Sequence, residues 1–278
     1  MRSLLWFFAL AYAAMWTCFA LGGALVRQGA PTGSALGVVA AALFLLGAIS
    51  PGIVALAITD RTEGRAATRA LLRRVARWEV AGRWYLFALA FIPAVELLTA
   101  VLHRAITGAW PLFGQTPWYL MAAGVLVSTW VQAGEEIGWR GYALPRLAER
   151  GGLPMASLVL GVIWAAWHIP QFFVPTSDTF GQSFPLFVVQ VTALSVVMAW
   201  LYWRTGGSLL LVMIFHAAVN NLKDIVPSAD PDAADAWALS QSPVAWLTAG
   251  LLWVVAAWCL VRMRGATLLA EPAPGSGR

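Results

Sequence analysis

Apolar runs long enough to cross a bilayer recur along almost the whole chain, and that pattern fixes what it can fold into. Inside hydrocarbon each backbone polar group must be satisfied within its own segment, so a chain of such runs becomes a bundle of helices. A span needs about 20 apolar residues. About eight segments qualify, roughly 4–26, 33–58, 84–102, 118–138, 153–172, 185–203, 207–222 and 243–261. Charged residues make up only 11% of the sequence, against roughly 25% in soluble domains. The expected fold is all-α, a polytopic membrane bundle of about eight transmembrane helices with its working site in an intramembrane cavity. Pro51-Gly52 lies inside the second run, which is therefore either one kinked span or a span plus a short broken piece.

Charge gives the orientation. With an even number of spans and the N-terminus inside, 15 of the 18 Lys and Arg fall on the cytoplasmic side, leaving Arg27, Arg104 and Lys223 outside. That split is what the positive-inside rule requires, and it accounts for the basic pI without nucleic acid as a partner. The last outside loop carries Asp224, Asp230, Asp232 and Asp235. The first run has no clear cleavage site and reads as a retained span rather than a signal peptide. The expected location is the cell inner (plasma) membrane, multi-pass, with both termini cytoplasmic. Arg is used almost to the exclusion of Lys, which suits a GC-rich bacterial genome. Cys18 and Cys259 sit in the first and last spans without metal-ligand spacing and read as buried thiols.

Three regions follow: supporting helices over 1–117, a core over 118–222, and an outside loop, last span and disordered tail over 223–278. Between the second and third spans, Arg61, Arg65, Arg69, Arg73 and Arg77 recur every fourth residue. On a helix they form a drifting basic stripe suited to anionic lipid head groups. It reads equally as a loop that only fixes topology.

The chemistry concentrates in the core. Glu135-Glu136-Ile137-Gly138-Trp139-Arg140 puts two carboxylates and an arginine in an apolar setting, where ionisable groups usually mark function. Glu136 and Arg140 share a helical face and can pair, while Glu135 points about 100° away. His168 ends Trp164-Ala-Ala-Trp167-His168, with Trp164 one turn earlier. His216 and Asn220 again stand four apart. His168 lies as far after the Gly151-Gly152 turn as Glu135 lies before it, so two helical arms would bring them to one level; Pro145 must kink or interrupt the first arm. The same residues read otherwise as helix caps, a satisfied core histidine and an interhelical clasp.

At these residues the chain resembles the CAAX protease and bacteriocin-processing (CPBP, or ABI) family of membrane proteins. Its EExxxR motif is met by Glu135, Glu136 and Arg140, its FxxxH by Trp164 and His168 with tryptophan in place of phenylalanine, and its third, loose motif by His216 and Asn220. The resemblance implies an intramembrane endopeptidase acting on a peptide or protein substrate in the membrane, including C-terminal and leader peptides. Glu135 and His168 would activate water, Glu135 as general base. His216 and Asn220 would polarise the oxyanion, and Glu136, Arg140 and Trp164 would support the site. Glu135, His168 and His216 could instead bind Zn²⁺ with an open fourth position. Asn220 beside His216 suits an oxyanion site better, and the sequence leaves both open. There is no HExxH helix, no aspartate pair within spans and no rhomboid-like serine arrangement. The competing readings are a non-proteolytic immunity or scaffold protein that binds a peptide in the same cavity, and a transporter with a proton-relay carboxylate.

Overall fold

The computed structural model describes residues 2–29, 31, 33–228, 235–240 and 242–266. Asp230, Asp232 and the tail from Glu271 to Arg278 lie outside the described residues. Among the latter there are helices and turns but no strands. Each of the eight apolar segments is helical: α1 (Arg2–Arg27), α2 (Ala35–Glu63), α4 (Gly82–Thr107), α5 (Trp118–Glu136), α6 (Leu144–Trp167), α7 (Phe184–Arg204), α8 (Leu209–Leu222) and α9 (Pro243–Arg262). By length and composition six stretches can cross a membrane, with Trp118–Phe173 forming one continuous run. α8, at 14 residues, is short for a span, but it is among the most buried helices because it carries part of the site. Cys18 and Cys259 are free and buried, as read from the sequence.

α2 runs unbroken through Pro51, so the second segment is a single helix. Its middle touches α5 backbone to backbone. A Cβ on Gly52 would lie 2.6 Å from the carbonyl oxygen of Gly134, and one on Gly138 would lie 2.6 Å from Cβ of Pro51. Small residues allow this approach where larger ones would hold the helices apart. Gly134 and Gly138 flank the two adjacent glutamates, so the contact fixes the turn that carries them.

Pro145 does not break the arm as expected. Residues Ile137–Ala143 form a π-helical segment between α5 and α6, with the N–H of Leu144 bonded to the carbonyl of Trp139. The wider turn takes up the irregularity ahead of the proline, and Pro145 falls in the first turn of α6, where a missing N–H costs little. The reversal of direction comes at Gly152, whose φ of 72° and ψ of 165° leave the helical region.

The arginine stripe is not one continuous helix. Gly64, at φ 84°, separates the end of α2 from a nine-residue helix, α3 (Arg65–Arg73). α3 docks on the bundle through Leu71, which is buried and occupies the space a Cβ on Gly141 would need, 2.7 Å away. Arg61, Arg65, Arg69, Arg73 and Arg77 all remain exposed. Beyond α3, Arg77 Nη1 donates to the Gly206 carbonyl at 2.6 Å, tying this segment to the α7–α8 turn.

Gly134→Ala and Gly138→Ala are each expected to destabilise the protein by about 1–3 kcal/mol through overpacking. Gly250→Ala, where an added Cβ meets nothing within 4 Å, is expected to be neutral or slightly stabilising. Thermal midpoints in detergent compare the three.

Candidate active site

The last turn of α5 aims its two carboxylates differently. Glu136 turns inward and is fully buried. Its Oε1 and Oε2 accept from Arg140 Nη1 at 2.9 and 3.2 Å, and Oε1 also bonds Nδ1 of His216 on α8 at 2.8 Å. Arg140, likewise fully buried, lays its guanidinium 4.3 Å from the ring centre of Trp164 and donates from Nη2 to the sulfur of Met198 at 3.2 Å. One carboxylate thus links the π segment to α8, and through the arginine reaches α6 and α7.

Glu135 faces a cavity. Its Oε2 accepts from the indole N–H of Trp164 at 2.8 Å, and Oε1 is without a hydrogen bond among the described residues. Two histidine rings stand around the same indole, His168 at 5.6 Å and His216 at 5.1 Å between ring centres. His168 Nδ1 lies 2.8 Å from the carbonyl oxygen of Trp164. A carbonyl oxygen only accepts, so Nδ1 carries the proton and Nε2 is the basic ring atom. The same reasoning for His216, whose Nδ1 meets the Glu136 oxygen that Arg140 also holds, leaves its Nε2 for the cavity.

α1 holds His168 in place. Trp167, beside it, donates to the carbonyl of Ala11 at 3.1 Å, Trp16 donates to the carbonyl of Trp167 at 3.2 Å, and the Tyr12 hydroxyl donates to that of Ile163. Phe7 packs edge-on to Trp139, which packs edge-on to Trp167. Indole and phenol donors matter here because the hydrocarbon offers no water to satisfy a helix C-terminus.

Glu135, Trp164, His168, His216 and Asn220 all line one cavity of about 260 Å³. Glu136 and Arg140 stand behind it and are not part of its lining. Its other walls include Glu96 on α4, Gln132 one turn before the glutamates, Gln190 on α7 and Thr248 on α9. Asp178, Thr179, Lys223 and Asp224 line it near one end, where Lys223 pairs with Asp178 at 2.7 Å. Lys223 holds the Asp178 carboxyl below its usual range, against an upward push from partial burial. Glu96, Gln132, Asp178 and Lys223 were not singled out in the sequence. For Glu96 a signal existed, since it is the one carboxylate within the apolar run 84–102. The others come together only through the fold. As for the zinc alternative, among the described residues no three His, Cys, Asp or Glu side chains gather as metal ligands would, Glu135, His168 and His216 included.

Residues 113–222 match the Type II CAAX prenyl endopeptidase Rce1-like family. This segment contains all three motifs. CAAX prenyl protease 2 of Methanococcus maripaludis is 31% identical over 152 residues, covering 49% of this chain and 56% of the relative. The chain thus spans little more than half the length of that curated relative. The motifs that carry the resemblance all lie within the matched segment.

Removing one member of the buried ion pair leaves the other uncompensated. Arg140→Met is expected to cost about 3–5 kcal/mol, and Arg140→Met combined with Glu136→Gln is expected to cost less than Arg140→Met alone. Thermal midpoints of the wild type, both single variants and the double variant measure the coupling.

Proposed function

We propose that this chain, with a catalytic segment of the Rce1-like CAAX protease type, is an intramembrane endopeptidase that hydrolyses peptide bonds with water activated by Glu135. The observation that carries the reading is the meeting of Glu135, His168, His216 and Asn220, from three helices, around one cavity. Their spacing in the chain gives no reason for that meeting other than a shared site.

The steps follow from the hydrogen bonds. The free Oε1 of Glu135 accepts a proton from a water held between it and Nε2 of His168, and the water oxygen attacks the scissile carbonyl carbon. The indole of Trp164 keeps Oε2 occupied, so one oxygen alone serves as base. Negative charge passes to the former carbonyl oxygen, which accepts from the Asn220 amide and from a protonated Nε2 of His216, with Glu136 as counter-ion. Glu135 then returns the proton to the leaving nitrogen, the C–N bond breaks, and a carboxylate and an amine are released. A cavity of about 260 Å³ is at the small end for a ligand site. It suits the residues beside the cut rather than a long peptide, in keeping with substrates that are membrane-associated segments, C-terminal or leader peptides among them.

The protein sits in the plasma membrane with both termini cytoplasmic. Arginine positions support this. Arg61 to Arg83, Arg146, Arg150, Arg204 and Arg262 cluster at the end of the bundle where Arg77 meets Gly206 and Arg146 meets Glu63. The exposed arginines of α3 and its flanks would then face anionic head groups. The cavity mouth, at the Asp178–Lys223 end, opens on the opposite face.

Glu135→Gln is expected to lower peptide cleavage at least about 100-fold. Trp164→Phe, which keeps an aromatic ring and removes the donor to Glu135, is expected to lower kcat about tenfold or more. Cleavage assays in nanodiscs with and without a chelator read both, and undiminished cleavage by Glu135→Gln would overturn the mechanism. For orientation, Ser177→Cys is expected to react with an impermeant maleimide from outside the cell, and Arg69→Cys only after lysis. The reverse pattern would put the mouth in the cytoplasm.

A further inference from the structure

Glu96 is unaccounted for by the reaction just described. It projects from the middle of α4, is 3% exposed, and lines the same cavity as Glu135. No hydrogen bond reaches its Oε2 among the described residues. Neighbours on its own helix are otherwise engaged: Thr99, almost one turn further, meets Thr248 of α9 at 3.2 Å, and Ile92, one turn earlier, gives the cavity an apolar wall.

A carboxylate out of water with no partner is unstable, and it persists most readily where something else supplies the partner. The cavity supplies one only in part: Lys223 attracts Glu96 and Asp224 repels it. Its lining carries four carboxylates, Glu96, Glu135, Asp178 and Asp224, and one lysine, Lys223. That lysine is engaged by Asp178 at 2.7 Å. Arg140 is held by Glu136 behind the wall. Both histidines have Nδ1 committed, to Trp164 and to Glu136. The lining therefore carries more acidic than basic side chains, and Oε2 of the buried Glu96 has no hydrogen-bond partner among the described residues.

We propose that Glu96 is a specificity-determining residue that receives a basic side chain, lysine or arginine, of the peptide substrate. The inference rests on the protease reading of the cavity and names its substrate class. An ammonium or guanidinium placed beside Glu96 makes a charge-assisted bond in a site with little water, where such bonds are strongest. Apolar Ile92, Val191, Leu194 and Leu252 on the same lining would take the methylene stem. A neutral peptide gains nothing from Glu96, and an acidic one is repelled.

The test uses end-capped ten-residue peptides, one lysine walked through a neutral sequence and replaced in the control by norleucine. Cleavage is read with the full-length protein in nanodiscs, and binding by fluorescence anisotropy on the Glu135→Gln background. At one lysine position the wild type is expected to prefer the lysine peptide about tenfold or more in kcat/KM, with a matching preference in binding. Glu96→Gln should bring that preference within about twofold while leaving the norleucine peptide unchanged. Glu96→Met, which removes the burial cost of the carboxylate, serves as a second variant that folds independently of the Gln result. A preference that survives both variants, or no lysine preference at any position, overturns the proposal. Glu96-dependent lysine binding without cleavage would uphold it and overturn the protease reading instead.

Discussion

Glu136 is the interaction on which the rest of the site depends. Its two oxygens accept three hydrogen bonds, two from Arg140 and one from His216. All three groups are withdrawn from solvent. Ion pairs of this kind are poor sources of stability, because desolvation consumes most of the attraction. What they supply is uniqueness of arrangement. A helix rotated by one residue would bury Glu135 against Arg140 and leave His216 facing an apolar wall, with charge stranded in a medium that penalises it heavily. The trio fixes the rotation of α5 relative to α8, and that rotation decides which carboxylate reaches the cavity.

Two devices let so polar a knot sit in a membrane bundle. One is close approach. Glycines at 52, 134 and 138 remove the side chains that would otherwise separate α2 from α5 at this level. The other is the π segment Ile137–Ala143, all of it buried. A wider turn gives one more residue per circuit than the regular helix would, which lets Trp139 and Tyr142 pack against Phe7 while Arg140 still reaches back to Glu136. Wide turns inside helices recur at working sites for this kind of reason.

Much of this was legible in the sequence because membrane folding is so constrained. Apolar length alone gave the helical segments, and Glu136 with Arg140 at i and i+4 gave the pair, since on a helix the two have nowhere else to go. The split role of the adjacent glutamates followed from 100° of rotation. What was hidden depends on contacts between distant segments. His216 finds Glu136 across 80 positions of sequence, and no local spacing encodes that. The period of four in the arginines continues past Gly64, whereas the positive φ at that glycine and the burial of Leu71 divide the stripe and dock it. Trp164 is the instructive case. Read as an aromatic stand-in for phenylalanine, it proves to be a hydrogen-bond donor to Glu135, a role that ring size does not reveal.

The hydrolysis proposed for this cavity also needs water to arrive, and the polar part of the lining is the route that suits it. Gln171, Asp178, Thr179 and Gln182 belong to the stretch after α6, and Lys223, Asp224 and Ser228 to the stretch after α8; all of them line the cavity. Their joint end is held together by the Asp178–Lys223 pair and by the Gly114 N–H on the Ile225 carbonyl. Trp139, Tyr142 and Arg140, each fully buried, stand outside that lining. In the proposed reaction water and peptide enter beside these polar groups. Sharing that route, a substrate segment would also limit the water reaching Glu135 to what it carries in or finds already there. That coupling favours short, partly unwound segments over intact helices, because an intact helix would occupy the entrance with its own satisfied backbone and present no bare carbonyl to attack.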